Sequence, residues 1–307
     1  MTKMNFDFCA KRKLFFSIAI ALVAVAIIGS FVFGLKLDIQ FKGGALITYA
    51  YEGDIDKDDF KSSVEEVLGN KVTIQESSDI ATGNKSFVVS SPSSKGFTAE
   101  MQDTLAKTLS EKYNENNLET RSINVVNPTI GSEFLSKSML SLFFAAALMV
   151  VYIGIRFKKI SGWSAGVTAV VALIEDLFAV LAAFVIFGFS IDSNFIAVCL
   201  TILGYSLNDT IVIYDRIREN KRLYGSSKSI EELVNLSLNQ SFKRSTMTTI
   251  TTVTAMIVVS VVANMYNVSS IMSFSIPITV GMLSGFFSSM CIAPNLWVLW
   301  QSKKKAA

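Results

Sequence analysis

Six apolar stretches, each roughly as long as the helix of about twenty residues that crosses a bilayer, constrain this chain more than any other feature of its sequence. In chain order they cover residues 14–34, 139–155, 162–187, 193–214, 246–264 and 269–300. Only 17% of the residues are charged, whereas a soluble domain carries about 25%. The sequence therefore predicts an α-helical membrane protein with six transmembrane helices.

The first stretch follows Lys11, Arg12 and Lys13 and resembles a cleaved secretory signal. Its apolar character continues to Leu35, whereas the apolar core of a signal peptide has only about 7 to 15 residues. We therefore expect an uncleaved membrane anchor.

Among the short loops and the chain ends, lysine and arginine residues lie on one side of the predicted membrane. They occur in the N-terminus, the turn at 156–159, the loop at 216–243 and the tail, whereas the turns at 188–192 and 265–268 have none. Because positively charged short loops stay in the cytoplasm, we expect both termini there. The predicted organisation is a cytoplasmic N-terminus and first helix (1–35), an extracytoplasmic domain (36–137), five further helices with the cytoplasmic loop (138–301), and a basic cytoplasmic tail (302–307).

The polar segment 36–137 has the periodicity of a small α+β domain. Residues 45–51, 72–75, 87–90 and 122–126 have strand patterns, with a turn predicted at 82–84. Two helices have apolar residues on one face, namely Phe60, Val64, Val67 and Leu68 in the first and Met101, Leu105 and Leu109 in the second. The first ends at Gly69, and Thr98 caps the second. The order βαββαβ predicts a ferredoxin-like extracytoplasmic domain.

Several classes of function are excluded by residue types. The chain has no histidine and its three cysteines are isolated, which excludes imidazole catalysis and Cys/His zinc sites. The net charge of +3 argues against nucleic-acid binding. Four aspartates at 54, 56, 58 and 59 lack the central Gly and closing Glu of a calcium loop, so we interpret them as acids at a helix N-terminus. We expect no catalytic site, metal or cofactor.

Charged residues inside the apolar stretches mark where function is expected, because such a residue at the bilayer centre costs roughly 2.5 to 3.5 kcal/mol on insertion scales. Glu175 and Asp176 lie in the third stretch and Asp209 in the fourth. A protonated acid costs less to bury than its anion, so each can take up a proton from one side and release it to the other. The alternative is that Asp209, beside Asn208 and Ser206, only joins helices by hydrogen bonds.

The fifth stretch begins at Arg244 and has a polar face. The hydroxyl residues on this face are Ser245, Thr248, Thr249 and Thr252. They can bond to their own helix or hold water, and the sequence leaves both open. Arg244 is placed to reach a carboxylate on the neighbouring helix.

The sixth stretch has small residues at helical spacing. Gly281 and Gly285 have the GxxxG spacing of closely packed membrane helices, with Ser284 and Ser288 beside them. We expect this face to contribute packing and little chemistry.

Several motifs resemble the SecD/SecF family, the auxiliary membrane subunits of the bacterial Sec protein-export machinery. The most specific is GYSLNDT at 204–210, followed by DRIREN at 215–220. The sequence FKGG at 41–44 resembles the Phe-x-Gly-Gly motif of the family, and residues 239–245, 288–289 and 293–294 resemble its later motifs. Two positions differ, since Gln40 replaces an expected acid and Glu175 replaces an expected histidine.

The resemblance implies the SecF-type half of a transporter similar to the resistance-nodulation-division class. It implies SecD as a separate partner chain, the SecYEG channel and a YidC-type insertase as further partners, and a translocating unfolded polypeptide as substrate. The proton gradient, or a sodium gradient, would pull that polypeptide outward across the bacterial cytoplasmic membrane. By motif, the proton-relay residues correspond to Asp209 and Arg244, with Glu175 and Asp176 as accessory acids.

The glycine motif after the first crossing has two interpretations. Gly43 and Gly44, with Phe41 before them, form a hinge or a packing point between the outer domain and the membrane helices, because glycine adopts backbone angles that other residues avoid. The alternative is an ordinary turn that leads into a strand.

Two other functions stay open at this stage. A half-transporter that exports lipid or drug belongs to the same superfamily, but such exporters usually have two large outer domains and twice as many crossings in one chain. A non-transporting scaffold of the translocation channel differs from the main hypothesis only in its lack of dependence on protons.

Overall fold

The computed structural model describes residues 6–78, 85–92, 97–160, 162–225, 227–266 and 268–306. In chain order the elements are α1 (Arg12–Phe33), α2 (Ile39–Lys42), β1 (Gly44–Tyr51), α3 (Lys57–Leu68), β2 (Thr73–Ser78), β3 (Lys85–Pro92), α4 (Ala99–Lys112), β4 (Glu119–Val126), α5 (Pro128–Arg156), α6 (Gly162–Phe187), α7 (Ser193–Tyr224), α8 (Ile230–Met265), α9 (Ser269–Phe287) and α10 (Ala293–Ala306). Within these ranges, six helical spans are long and apolar enough to cross a membrane, which confirms the predicted number of crossings.

The outer domain has the predicted order βαββαβ. Its four strands form an antiparallel sheet in the order β2-β3-β1-β4, as in a ferredoxin-like fold. Helices α3 and α4 cover one face, and the stacked rings of Phe60 and Phe87, 4.7 Å apart, lie in the core between them and the sheet. Leu105 and Leu109 are buried there, but Met101, predicted on the same face, is 39% exposed in the first turn of α4. The turn predicted at 82–84 lies outside the described residues.

The acidic residues before α3 are part of the start of that helix. The Asp56 carboxylate accepts hydrogen bonds from the backbone N–H groups of Asp58 and Asp59, both at 2.9 Å. Asp59 accepts a hydrogen bond from the Tyr113 hydroxyl and pairs with Lys112 at 3.0 Å. These two contacts hold the pKa of Asp59 below its usual range. The interpretation as helix N-terminal residues is confirmed for Asp56, Asp58 and Asp59, whereas Asp54 pairs with Lys85 of β3 at 3.1 Å.

The bundle has a buried centre and an uncovered periphery. More than half of the membrane window is buried in α6, in α7 and in the last span, but less than a quarter in α1, α5 and α8. The last span is interrupted by a π-helical turn at Ser288–Ile292 between α9 and α10. These central helices therefore determine where buried polar groups meet.

The predicted cytoplasmic loop at 216–243 is mostly helical. Helix α7 continues to Tyr224 and α8 starts at Ile230, which leaves residues 225–229 between them. A capping box of Ser229 and Glu232 begins α8. Most of the expected loop is therefore helical, because the polar residues after the fourth apolar stretch continue α7, and those before the fifth stretch begin α8 at its Ser229 cap.

Two short connections join the outer domain to the membrane helices. In the first, Ile191 N–H donates to the Lys36 carbonyl at 2.7 Å, and Asp38 N–H donates to the Ile191 carbonyl at 3.0 Å. The buried ring of Phe41 stacks on Phe134 of α5, with centroids 5.5 Å apart. In the second, a single residue separates β4 from α5. The linker is thus packed between α5 and the turn that joins α6 to α7.

Gly43 and Gly44 make close backbone contacts where this linker meets β1. Their φ angles are 79° and 139°, and a Cβ at Gly43 would lie 2.4 Å from the Pro128 Cα atom. A Cβ at Gly44 would lie 2.2 Å from the Ser91 carbonyl oxygen. In this structure both glycines are packing points within a turn that leads into a strand, and the hinge role stays a prediction.

We predict that Gly43→Ala destabilises the protein more than Gly34→Ala. Gly34 also has a positive φ, 73°, but a Cβ there meets no atom of the described residues within 4 Å. With ψ angles of 155° and 161°, Gly34 and Gly43 have backbone angles that essentially only glycine adopts, at a cost to alanine of about 1 to 3 kcal/mol. Only Gly43→Ala adds a clash with the backbone of α5. Thermal unfolding of both variants in detergent measures the difference, and equal losses would contradict a packing role for Gly43.

Candidate functional site

The three predicted intramembrane acids are buried in the centre of the bundle. Glu175 and Asp176 of α6 are 6% and 0% exposed, and Asp209 of α7 is 4% exposed. Their surroundings differ in the number of hydrogen-bond donors that each carboxyl group meets. The candidate site therefore has two parts, which we describe as the Asp176 cluster (Glu175, Asp176, Ser206, Ser284 and Ser288) and the Asp209 site.

The Asp176 carboxylate accepts hydrogen bonds from serines on three sides. The Ser206 hydroxyl of α7 donates to Oδ2 at 2.7 Å, and the Ser284 hydroxyl of α9 donates to Oδ1 at 2.7 Å. The Ser288 hydroxyl, at the start of the π-helical turn, donates to Oδ2 at 2.9 Å. Both oxygens of this buried carboxylate therefore have donors.

The expectation that Ser284 and Ser288 contribute little chemistry is wrong, because both bind Asp176. They are four residues apart and so face the same side of the last span. A buried carboxylate requires hydrogen-bond donors. The serines of the neighbouring apolar stretches were therefore the signal in the sequence for these contacts. Ser289 was named only as part of a family motif, with no contact predicted for it, and its hydroxyl lies 2.8 Å from that of Thr210.

The glycines of the last span allow these contacts. A Cβ at Gly281 would lie 2.6 Å from Ile202 Cγ1, and a Cβ at Gly285 would lie 3.0 Å from Ser206 Cβ. Helix α9 thus approaches α7 at the level of Ser206, which brings the hydroxyl groups of both helices to Asp176.

The Asp209 site lies between α7 and α8. The Oδ2 atom of Asp209 is buried and has no hydrogen-bond partner among the described residues. Ser245 and Arg244 of α8 are near enough to act electrostatically on this carboxyl group. Arg244 is exposed, and no ion pair within 4.0 Å joins it to Asp209 in the described part of the chain. The structure therefore brings the two predicted residues to neighbouring helices without direct contact.

The hydroxyl face of α8 shows one of the two arrangements that the sequence left open, since two of its hydroxyls bond to their own helix, and the water-holding role stays a prediction. Thr248 donates to the Arg244 carbonyl at 3.1 Å, and Thr252 donates to the Thr248 carbonyl at 3.0 Å. The hydroxyls of Ser245 and Thr249, by contrast, are buried without a partner among the described residues. The unpaired hydroxyls lie on the Asp209 side of α8, where an additional donor or acceptor can bind.

Asp215, six residues further along α7, has basic partners. Its carboxylate pairs with Arg218 at 2.6 Å and with Arg156 at 3.4 Å. Within the described ranges, no group of three or more His, Cys, Asp or Glu residues is arranged to hold a metal ion.

The sequence of this chain is similar to those of known protein-export subunits. Residues 105–303 match the family described as "Protein export membrane protein SecD/SecF, C-terminal". The protein translocase subunit SecF of Petrotoga mobilis is 30% identical over 304 residues, which are 98% of each chain. The protein translocase subunit SecDF of Bacillus subtilis is 32% identical over 305 residues, which are 98% of this chain and 39% of that one.

Solved structures give the same result for the fold. The crystal structure of SecDF, a translocon-associated membrane protein from Thermus thermophilus, is 27% identical and superposes on 97% of this chain with a TM-score of 0.80. A crystal structure of SecDF in a super-membrane-facing form is also 27% identical and superposes on 100% with a TM-score of 0.70. This chain covers 39% and 40% of those two chains, respectively.

We predict opposite effects of Asp176→Asn and Asp209→Asn on stability. An amide at 176 cannot accept all three serine hydrogen bonds, and each buried donor left unpaired costs about 1 to 3 kcal/mol. An amide at 209 cannot ionise, so it avoids any buried charge at Oδ2, which has no partner among the described residues, and stability is unchanged or rises. Unfolding by a denaturing detergent, followed by circular dichroism, compares the two variants. Equal destabilisation would show that the two carboxyl groups have equivalent surroundings.

Proposed function

We propose that this chain, which belongs to the SecD/SecF family of protein-export membrane proteins, couples proton movement through Asp209 to late steps of polypeptide translocation. As a member of that family it is a multi-pass membrane subunit of the Sec pathway and not an enzyme. The observation that carries the proposal is the buried Asp209 carboxyl group, which has one oxygen without a partner in the described part of the chain and an arginine on the next helix.

The surroundings of Asp209 support a change of protonation state. A buried anion with an unpartnered oxygen is unfavourable, and a proton removes that penalty. The positive charge of Arg244 acts in the opposite direction and favours the anion. Because the two effects oppose each other, a small movement of α8 relative to α7 changes which form is favoured. Proton uptake and release thereby become linked to helix position.

The available energy is sufficient for such a step. One elementary charge that moves through 100 mV releases about 2.3 kcal/mol. A pH difference of one unit adds about 1.4 kcal/mol. Because a factor of ten corresponds to about 1.4 kcal/mol, the two contributions together shift a two-state equilibrium more than a hundredfold.

The outer domain is placed to respond to the membrane helices. It contacts the start of α9, where the Ser269 hydroxyl donates to Gln75 Oε1 at 3.1 Å, and it continues directly into α5. A rearrangement around Asp209 would move this domain as a rigid body and pull the translocating unfolded polypeptide outward.

The partners and the orientation follow from the family and the charge distribution. The Bacillus subtilis relative is named SecDF, so we propose SecD as the partner of this chain. The SecYEG channel and a YidC-type insertase complete the assembly. Both termini are cytoplasmic in the bacterial cytoplasmic membrane, because the basic short loops lie on that side.

Family membership argues against a lipid or drug exporter, because the relatives compared above are named as translocase subunits. A non-transporting scaffold within the translocase is the second candidate. Proton dependence separates that scaffold from the coupled subunit, and the following predictions test it.

Asp209→Asn is expected to abolish gradient-dependent export while the protein still inserts and binds its partner. Asparagine keeps the shape and the hydrogen bonding of the side chain but cannot exchange a proton. Export into inverted membrane vesicles, with the gradient intact and collapsed, measures the loss. Asp215→Asn, on the same helix but paired with two arginines, is the matched control. Normal export by the Asp209 variant would favour the scaffold.

Arg244→Met is expected to weaken coupling more than Arg244→Lys. Lysine keeps the charge that favours the Asp209 anion but loses the planar guanidinium, whereas methionine loses both. The same vesicle assay gives the order parent, lysine variant, methionine variant. Lys243→Met, which removes the adjacent exposed cation, is the control. If the Arg244 and Lys243 variants behave alike, Arg244 has no specific role.

Cross-linking Gln75→Cys to Ser269→Cys with a short cleavable thiol reagent is expected to stop export, because it ties the outer domain to α9. The native cysteines at 9, 199 and 291 are buried, and burial raises the pKa of Cys9 to about 12, so they react poorly. Each single-cysteine variant, treated alike, is the control, and cleavage of the linker should restore export. Export at the parental rate with the cross-link complete would show that the domain need not move.

A further inference from the structure

A buried asparagine near the end of α7 ties that helix to α8. Asn220 is 1% exposed, and its Nδ2 donates hydrogen bonds to the Ser237 hydroxyl and to Gln240 Oε1, both at 2.8 Å. A buried polar group between two helices restricts how they align, because it loses its partners when one helix slides along the other. Asn220 therefore favours one position of α8 along α7.

A second contact between these helices has the same alignment. The hydroxyls of Tyr205 and Thr252 are 2.7 Å apart. The fifteen positions from 205 to 220 on α7 match the fifteen positions from 237 to 252 on α8. Because α8 runs back along α7 after the short connection at 225–229, both contacts belong to one antiparallel register.

In this register Asp209 lies opposite Thr248, and Arg244 lies one turn away. Asp209 follows Tyr205 by four residues. On the antiparallel helix, Thr248 precedes Thr252 by four. Arg244 is a further four residues toward the start of α8, which is a distance of about 6 Å at about 1.5 Å per residue. The register thus explains why no ion pair joins Arg244 to Asp209 in the described part of the chain.

The hydroxyl residues of α8 do not select this register. They recur every four residues along a buried stripe of the helix, at Ser237, Ser241, Ser245 and Thr249. If α8 moved by one turn toward its own C-terminus, Tyr205 would meet Thr248 in place of Thr252. Each is a threonine hydroxyl, so the contact at Tyr205 is compatible with both alignments.

The contacts of Asn220, by contrast, distinguish the two alignments. After the same one-turn movement, Asn220 would meet Leu233 in place of Ser237, and its buried amide would lose a partner. Leu236 would likewise replace Gln240. Arg216 also donates to Gln240 at 2.7 Å, but its side chain is 38% exposed and can bond to water instead.

We propose that Asn220 is a positioning residue that holds α8 in the register in which Arg244 is one turn short of Asp209. In the shifted register Arg244 would lie opposite Asp209, and its positive charge would favour the anion throughout. This consequence for export rests on the proposed function, in which Asp209 must change its protonation state.

Asn220→Leu tests the proposal because it removes both contacts and leaves no partner unpaired. Ser237 still donates to the Leu233 carbonyl at 2.7 Å, and Gln240 Oε1 still accepts from Arg216. A leucine of similar size would pack on the leucines of α8 after a one-turn movement. We therefore expect a folded variant of unchanged or higher stability that populates the shifted register.

Pulsed electron paramagnetic resonance on the full-length chain in lipid nanodiscs measures the register. Spin labels are attached at the exposed positions Leu223→Cys on α7 and Met247→Cys on α8, whereas the native cysteines are buried. We expect a second distance, displaced by up to about 6 Å, in Asn220→Leu. Lys221→Leu, at the adjacent exposed position, is the matched control and should show the parental distance alone.

The inverted-vesicle assay on the same variants without labels measures the effect on export. Gradient-dependent export is expected to fall about fivefold or more in Asn220→Leu, within the usual range of coupling free energies, and to stay normal in Lys221→Leu. Asn220→Ala removes the same contacts with less bulk and replaces the leucine variant if that variant does not fold.

A single parental distance in the folded Asn220 variant would overturn the proposal, whether or not export changes. A shifted distance with normal export would also overturn it, because the register would then have no effect on coupling. Normal export by Asp209→Asn would contradict the proposed function instead, and the distance measurement would still decide whether Asn220 sets the register.

Discussion

The need to satisfy a buried carboxylate, Asp176, determines how the central helices of this protein are arranged. Its three hydrogen bonds come from α7, α9 and the π-helical turn, so each of these segments must approach α6 closely. Glycine at 281 and 285 makes that approach possible, because a Cβ at either position would press on α7. The packing of the bundle and the chemistry of its centre therefore both follow from the need to supply one buried carboxylate with hydrogen-bond donors in an apolar membrane.

Asp209, on the neighbouring helix α7, has surroundings of the opposite kind. Asp176 has a donor for both oxygens, whereas the Asp209 Oδ2 atom has none among the described residues and faces unpaired hydroxyls of α8. A buried carboxyl group whose oxygens are hydrogen-bonded favours one arrangement of its neighbours. A buried carboxyl group with an unpaired oxygen becomes more stable when it gains a partner or a proton. The bundle thus places a fixed polar contact on the α6 side of α7 and a changeable one on the α8 side.

Features with a regular period were predictable from the sequence, and features that depend on helix rotation were not. The apolar lengths predicted six crossings, and alternation predicted the βαββαβ order, including the end of α3 at Gly69. The roles of Ser284 and Ser288 were missed, since the face that a helix turns toward a neighbour follows from packing in three dimensions. The helical ends inside 216–243 were missed because they are polar, although the Ser229 and Glu232 capping box was visible in the sequence.

The connection between the outer sheet and the membrane is unequal at its two ends. The linker before β1 is held by side-chain packing and a few hydrogen bonds, which can be exchanged for others. Between β4 and α5, only Asn127 intervenes, and the Pro128 ring restricts the backbone immediately after it. This short connection allows little independent movement of β4 and α5, so a tilt of α5 would rotate the whole sheet. Displacement then grows with distance from the joint, and a small angular change in the bilayer produces its largest travel at the far edge of the domain.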